Sequence, residues 1–278
     1  MINFFLRRLK KLSVVEIFVA IFIITSTVFF IKFFGLKEDT RLIRVEVVRK
    51  NFVENYDPLG YRTPFWLSDK LKVGQTEKNS VGQVIASIVN MENYTRDNEE
   101  TGLYLTLKVT VVLNRRTGQY SFKDKPFANG QQIELNLGEN YVLGQIIDTN
   151  VPENGYPVKI FTVTARGRGI RSSVYSKIIP GARMIDRSSG LAAAEITSVK
   201  IEPSSIQPIK FDPTNRFLIS DQTVDEHDVI ITVKVTAYQL DQRWFFAGHQ
   251  NLKVGQDIYL YTDQVNLPRY EITDINEL

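Results

Sequence analysis

Asp225-Glu226-His227-Asp228 packs three carboxylates and an imidazole into four consecutive positions, all donors that a divalent metal accepts. Neighbouring residues of an extended strand point to opposite faces, so the four cannot converge on one ion. A solvated acidic loop ahead of a strand is the expectation. The other histidine, His249, stands in the turn-like Gly248-His249-Gln250-Asn251, with no acid–base partner legible nearby. Arg166, Arg168 and Arg171, interleaved with Gly167 and Gly169, could hold an anion such as a phosphate or lipid headgroup. Against that stands a strand with outward arginines and a glycine bulge. Zero cysteines exclude disulfides, thiolate nucleophiles and thiolate metal sites. The chain has no G-x-S-x-G elbow, P-loop or G-x-G-x-x-G phosphate loop. Carboxylate pairs for glycoside hydrolysis leave no sequence spacing, and nothing singles one out. The expectation is therefore no enzyme, no cofactor and no metal. Trp66, Trp244 and Phe246 are the candidate partner-binding aromatics, because such rings favour interface centres.

The elements that must position these residues begin with an anchor. Val14 to Phe34 reads VVEIFVAIFIITSTVFFIKFF, broken only by Glu16 and Lys32 near its ends. At roughly 1.5 Å per residue it spans about 31 Å, the thickness of a bilayer core. Ser13-Val14-Val15-Glu16 has the form of a capping box, and Lys32 can snorkel outward. Bulky Phe33, Phe34 and Leu36 fill the place where signal peptidase wants small residues, so the anchor stays uncleaved. Arg7, Arg8, Lys10 and Lys11 precede it and favour an inside N-terminus. Residues 36–278 then lie outside the cytoplasmic membrane. The net charge of +3 comes from the anchor region, because 29 basic residues face 30 acidic ones beyond residue 35. That balance disfavours nucleic acid.

Beyond the anchor the pattern is that of strands. LIRVEVVR (42–49) alternates, with its charges expected in water, and Asp57-Pro58-Leu59-Gly60 signals a turn. Trp66 to Asn90 reads as two short strands around Gly74 and Gly82, and Met91 to Thr101 as a polar loop. Leu103 to Asn114 and Val229 to Leu240 are the clearest strands, rich in β-branched residues. Val151-Pro-Glu-Asn-Gly-Tyr-Pro157 reads as a joint, and residues 203–228, with Pro203, Pro208 and Pro213, as an inserted loop.

The second half repeats the first. Lys108-Val109-Thr110, Tyr120, Asn129-Gly130-Gln131 and Gly144-Gln145-Ile146 answer to Lys234-Val235-Thr236, Trp244, Val254-Gly255-Gln256 and Tyr270-Glu271-Ile272. Weaker copies precede each: Lys72-Val73-Gly74-Gln75 with Gly82-Gln83-Val84-Ile85, and Pro180-Gly181-Ala182 with Ala194-Glu195-Ile196. Arg166-Gly167-Arg168-Gly169, Leu252-Lys253-Val254-Gly255 and Ile272-Thr273-Asp274-Ile275 then carry a resemblance. With the basic N-terminus and single span, the layout resembles a family of membrane-anchored bacterial proteins of unknown function. The resemblance implies location and architecture and brings no activity.

The expected organisation is a basic cytoplasmic tail (1–12), a transmembrane helix (13–35), a first β module (36–150), the joint (151–157) and a second β module (158–278). The fold class is all-β after the helix, with tandem small barrel-like or sandwich modules. The expected function is a non-enzymatic scaffold or interaction subunit of the cell envelope, held in the bilayer through residues 14–34 and meeting a protein partner there. The alternatives are an adaptor of a secretion or efflux assembly, and an envelope enzyme acting on glycan or lipid.

Overall fold

The computed structural model describes residues 14–34, 37–48, 63–96, 100–115, 117–205, 210–212, 217–219, 225–248 and 250–278. The basic tail, the Ser13 cap, the Asp57–Gly60 turn, His249 and part of the 203–228 insertion lie outside these residues. Helix α1 spans Val14–Phe34. Its described side chains, Val15 and residues 18–27, are exposed. Among the described residues no helix is long and apolar enough to cross a membrane.

Strands dominate the chain beyond α1. They are β1 (Lys37–Val48), β2 (Thr63–Pro64), β3 (Thr76–Lys78), β4 (Val84–Thr95), β5 (Glu100–Asn114), β6 (Gln119–Phe122), β7 (Lys125–Pro126), β8 (Gln132–Leu137) and β9 (Asn140–Asp148). After the joint come β10 (Val158–Arg171), β11 (Arg183–Ile185), β12 (Ala192–Pro203), β13 (Lys210–Asp212), β14 (Phe217–Ile219), β15 (Glu226–Leu240), β16 (Arg243–Phe246), β17 (Gln250–Asn251), β18 (Asp257–Tyr261) and β19 (Asn266–Glu277). One-turn helices α2 (Phe65–Ser68) and α3 (Ser172–Tyr175) complete the described elements.

The strands form two curled antiparallel sheets with the same plan. The first runs β3-β4-β5-β1-β9-β8 and the second β11-β12-β15-β10-β19-β18. Each curls until its edges approach. Gly138 donates to the Thr76 carbonyl at 3.4 Å, and Asp263 to that of Arg183 at 3.2 Å. By compactness the chain divides into residues 1–41 with 110–128, and residues 42–109 with 129–278. In the smaller unit the β6–β7 hairpin prolongs β5, and the Arg41 guanidinium lies 4.0 Å from the Tyr120 ring centroid. The larger unit holds most of both sheets.

A four-fold hairpin repeat underlies this plan. Gly74, Gly130, Gly181 and Gly255, with φ of +89°, +82°, +90° and +82°, each precede an edge strand. Each donates its N–H to an isoleucine carbonyl (Ile88, Ile146, Ile196 or Ile272) at 2.7–2.9 Å. That isoleucine returns its N–H to the residue after the glycine at 2.8–3.0 Å. In all four copies the next residue (Val89, Ile147, Thr197 or Thr273) is skipped in the strand pairing, which is a β-bulge. Three positions before each glycine an apolar side chain is buried: Leu71, Phe127, Ile178 or Leu252. A positive φ without a Cβ lets the chain turn, and the bulge adds the twist that curls the sheet.

Several expectations need correction. Trp66 lies in α2 rather than in a strand. Gly82 sits in the β3–β4 turn, and the partner of Gly74 is Ile88, beyond the expected Gly82–Ile85 stretch. Residues 91–101 are mostly the facing ends of β4 and β5. Their polar groups are satisfied inside, as when the buried Thr101 hydroxyl donates to the Tyr94 carbonyl at 2.8 Å. Arg44 and Glu46 are buried rather than in water, because β1 is a central strand. The 203–228 insertion carries the β13–β14 hairpin between the ends of β12 and β15.

Candidate functional site

The two motifs read separately in the sequence meet in space. Arg166 on β10 donates to Asp228 on β15 at 2.7 and 3.2 Å, and lies 3.7 Å from Glu202. Asp228 is fully buried, so the expected solvated acidic loop is in part the start of a strand. It also accepts from the Ser205 hydroxyl at 2.5 Å and the Gly169 N–H at 3.2 Å. Burial raises its pKa, but these donors and Arg166 outweigh it and hold the carboxyl below its ordinary range. Arg168 pairs with Glu271 at 3.2 Å, and Arg171 with Glu226 at 3.9 Å. The register of β10 against β15 slips between Gly167 and Ile170, a bulge at the glycines. The arginines are thus matched to carboxylates of their own chain. No group of metal-binding side chains occurs among the described residues.

The aromatic candidates separate. Phe246 is fully buried in the second sheet's core. Trp244 packs edge-on to Phe161, with centroids 5.0 Å apart. Trp66 is 62% exposed and has the Lys70 ammonium 5.5 Å from its ring. Only Trp66 of the three faces outward in the way a partner anchor requires.

A site that the sequence reading missed lies where the two sheets meet. Arg44 on β1 is 2% exposed and donates through both terminal nitrogens to Glu92 on β4, at 2.7 and 2.8 Å. Its guanidinium lies 4.6 Å from the Tyr238 ring centroid, 5.4 Å from Tyr104 and 5.8 Å from Tyr156. Its Nε is buried with no hydrogen-bond partner among the described residues. Tyr94 donates to Glu92 at 3.1 Å, and Tyr156 to Asp148 at 2.7 Å. Deeper in, Arg96 donates to the Tyr104 hydroxyl at 2.9 Å, and that hydroxyl to Glu46 at 3.0 Å. Gly248, at φ +92°, leaves room for the Tyr104 ring that any Cβ would strike.

Above this network opens a groove of about 420 Å³. Arg44, Glu92, Tyr94, Tyr156 and Tyr238 line it, and exposed Val89 and Val158 stand at its wall. Burial works against the charge of Arg44, yet Glu92 raises its pKa, so it remains a cation. Burial pushes the Tyr238 hydroxyl up to about 12 and raises Tyr94, Tyr104 and Tyr156 as well. A general acid or base needs a pKa near the working pH, and these groups are moved away from it. A fixed cation under aromatic walls can receive apolar and acceptor groups without exchanging protons with them.

A signal for this site does exist in the sequence. Arg44 and Glu46 interrupt an apolar strand, and Glu92 and Arg96 answer them in charge. The signal is masked because an alternating strand reads as half-exposed wherever its second face is covered by distant residues. No family model, curated protein or solved structure matches the chain.

Proposed function

We propose that this chain is a single-pass, extracytoplasmic scaffold of a bacterial cell envelope that binds a protein partner and catalyses nothing. Residues 14–34 hold it in the cytoplasmic membrane with the N-terminus inside. The apolar sequence from Val14 to Phe34, the basic residues ahead of it and the resemblance of short motifs to those of membrane-anchored bacterial proteins support the location. The observation that carries the functional reading is the groove. Burial and pairing keep its Arg44 charged and its tyrosines protonated, while Val89 and Val158 offer exposed apolar surface beside the tyrosine rings. Such a site recognises an apolar or aromatic segment of a partner.

The test is in-cell photocrosslinking from Val158 of the full-length chain. A recurrent stoichiometric protein captured from Val158, and not from the exposed Val254, which does not line the groove, is the expected product. Capture of nothing, or the same scatter of proteins from both positions, removes the scaffold reading.

A further inference from the structure

We propose that this chain associates head to tail with copies of itself, the β3–β4 turn of one copy docking on the open edge of β12 in the next. A contact within the chain sets the pattern. Beyond Ile88 the outer side of β4 is covered by the β11–β12 turn. Asn93 donates its N–H to Asp186 Oδ1 at 2.8 Å, Arg187 donates its N–H to the Asn93 carbonyl at 2.8 Å, and the Ser188 hydroxyl donates to the Met91 carbonyl. Tyr94 and Asp186 form an antiparallel bridge there.

The repeat places both halves of this contact a second time, apart from each other. Ile88 answers to Ile196 through the shared glycine turn and bulge, so Met91 answers to Val199 and Asn93 to Ile201. The pairings Asn93 with Leu103 and Ile201 with Val229 put both residues at the same place in their sheets. The N–H and C=O of Ile201 therefore face away from β15, as those of Asn93 face away from β5. Among the described residues no strand pairs with that side of β12 beyond Glu195, and Ile201 is 47% exposed.

The docking turn also has its twin. Asp186 closes the β11–β12 turn by donating its N–H to the Leu191 carbonyl and accepting from Ser188 N–H at its side chain. Asn79 closes the β3–β4 turn in the same way, with Gln83 and Val81. Asn79 thus stands where Asp186 does, and Ser80 where Arg187 does. This second turn ends in Val81, 75% exposed, with Val84 48% exposed beside it. Val81 cannot supply the hydroxyl of Ser188, so the intermolecular version exchanges one hydrogen bond for apolar contact with Ile201. Lys200 and Pro203 blunt the edge against addition of a whole strand. A turn needs only the groups of Val199 and Ile201.

One chain cannot satisfy itself this way if its two sheets keep their places, so each copy leaves one turn and one edge for neighbours. Such a heterologous contact produces a chain or ring of copies rather than a closed two-fold dimer. The native sequence has no cysteine, which makes disulfide mapping clean. Full-length Ser80→Cys and Ile201→Cys chains, mixed in detergent micelles under mild oxidation, should give a disulfide-linked dimer. Neither should give one alone, and the double variant should give a ladder. Ile201→Pro, which removes the outward N–H at this exposed edge, should abolish concentration-dependent association of the cysteine-free chain in sedimentation, with circular dichroism unchanged. Homodimers from either single variant would overturn the proposal, because they indicate a two-fold contact. So would a monomer at every concentration or a bond confined within one chain, either of which leaves the β12 edge to the chain's own 203–228 insertion.

Discussion

At the scale of single residues, the chemistry of this protein is dominated by charges that it has matched internally. Arg44, buried, is held to the half-buried Glu92 by two short hydrogen bonds. Removing one partner of such a pair leaves the other buried and uncompensated, at a cost of about 3–5 kcal/mol, whereas replacing both by apolar side chains costs far less. Glu92→Met, which strands the buried Arg44, should therefore lower unfolding stability by roughly that amount, and Arg44→Met with Glu92→Met should recover most of it. Urea unfolding of the full-length chain measures both. The tyrosines make a second prediction. Tyr238, with its pKa raised from 10.0 to about 12, binds a proton in the folded state that the unfolded chain has lost. Its contribution is complete below pH 10 and disappears as the pH rises through about 12. Tyr94, Tyr104 and Tyr156 act in the same direction. Stability should thus decline above pH 10, and ultraviolet titration should show a block of tyrosines ionising only with unfolding. Independent ionisation at ordinary pH in the folded chain would refute the burial argument.

At the scale of elements, equivalent positions in the two sheets solve one packing problem in opposite ways. In the first sheet Val47 faces Gly144, and a Cβ on that glycine would collide with Val45. In the second sheet the small residue is Gly167, and Tyr270 fills the space opposite, its ring 2.6 Å from where a Gly167 Cβ would be. Volume has moved across the strand pair. Gly167→Val should overpack the core and cost about 1–3 kcal/mol, and Tyr270→Ala should leave a cavity costing about 3–5 kcal/mol. Combined, the two should cost clearly less than their sum, because each removes the other's problem. Strict additivity in thermal unfolding would mean that the two positions do not share the space assigned to them.

Across the whole molecule, the all-β class, the tandem repeat and its glycine turns are legible in the sequence, because turn chemistry and β-branched strands are local properties. The register Gly130–Ile146 and Gly255–Ile272 can be read directly, since both copies keep the same short motifs. The weak copy at Gly74 invites misalignment because its strand begins four residues earlier than its isoleucine partner. The junction is illegible for a different reason. Arg44 and Glu92 lie on separate strands of the first sheet, Tyr156 on the joint and Tyr238 on the second sheet, and only long-range strand pairing and sheet packing make the four neighbours. Residues 91–101 read as loop because their polar side chains suggest solvent, whereas Asn93 and Thr101 satisfy each other inside the fold.

The scaffold reading depends on the chain being held at the membrane with its β portion outside. The most direct test is protease accessibility of the full-length protein in intact spheroplasts, combined with alkaline carbonate extraction of the membranes. The protein should stay in the carbonate-washed pellet, deletion of residues 14–34 should release it, and external protease should digest residues beyond 36. A protein washed off by carbonate, or one digested only after the membrane is opened, would contradict the scaffold reading.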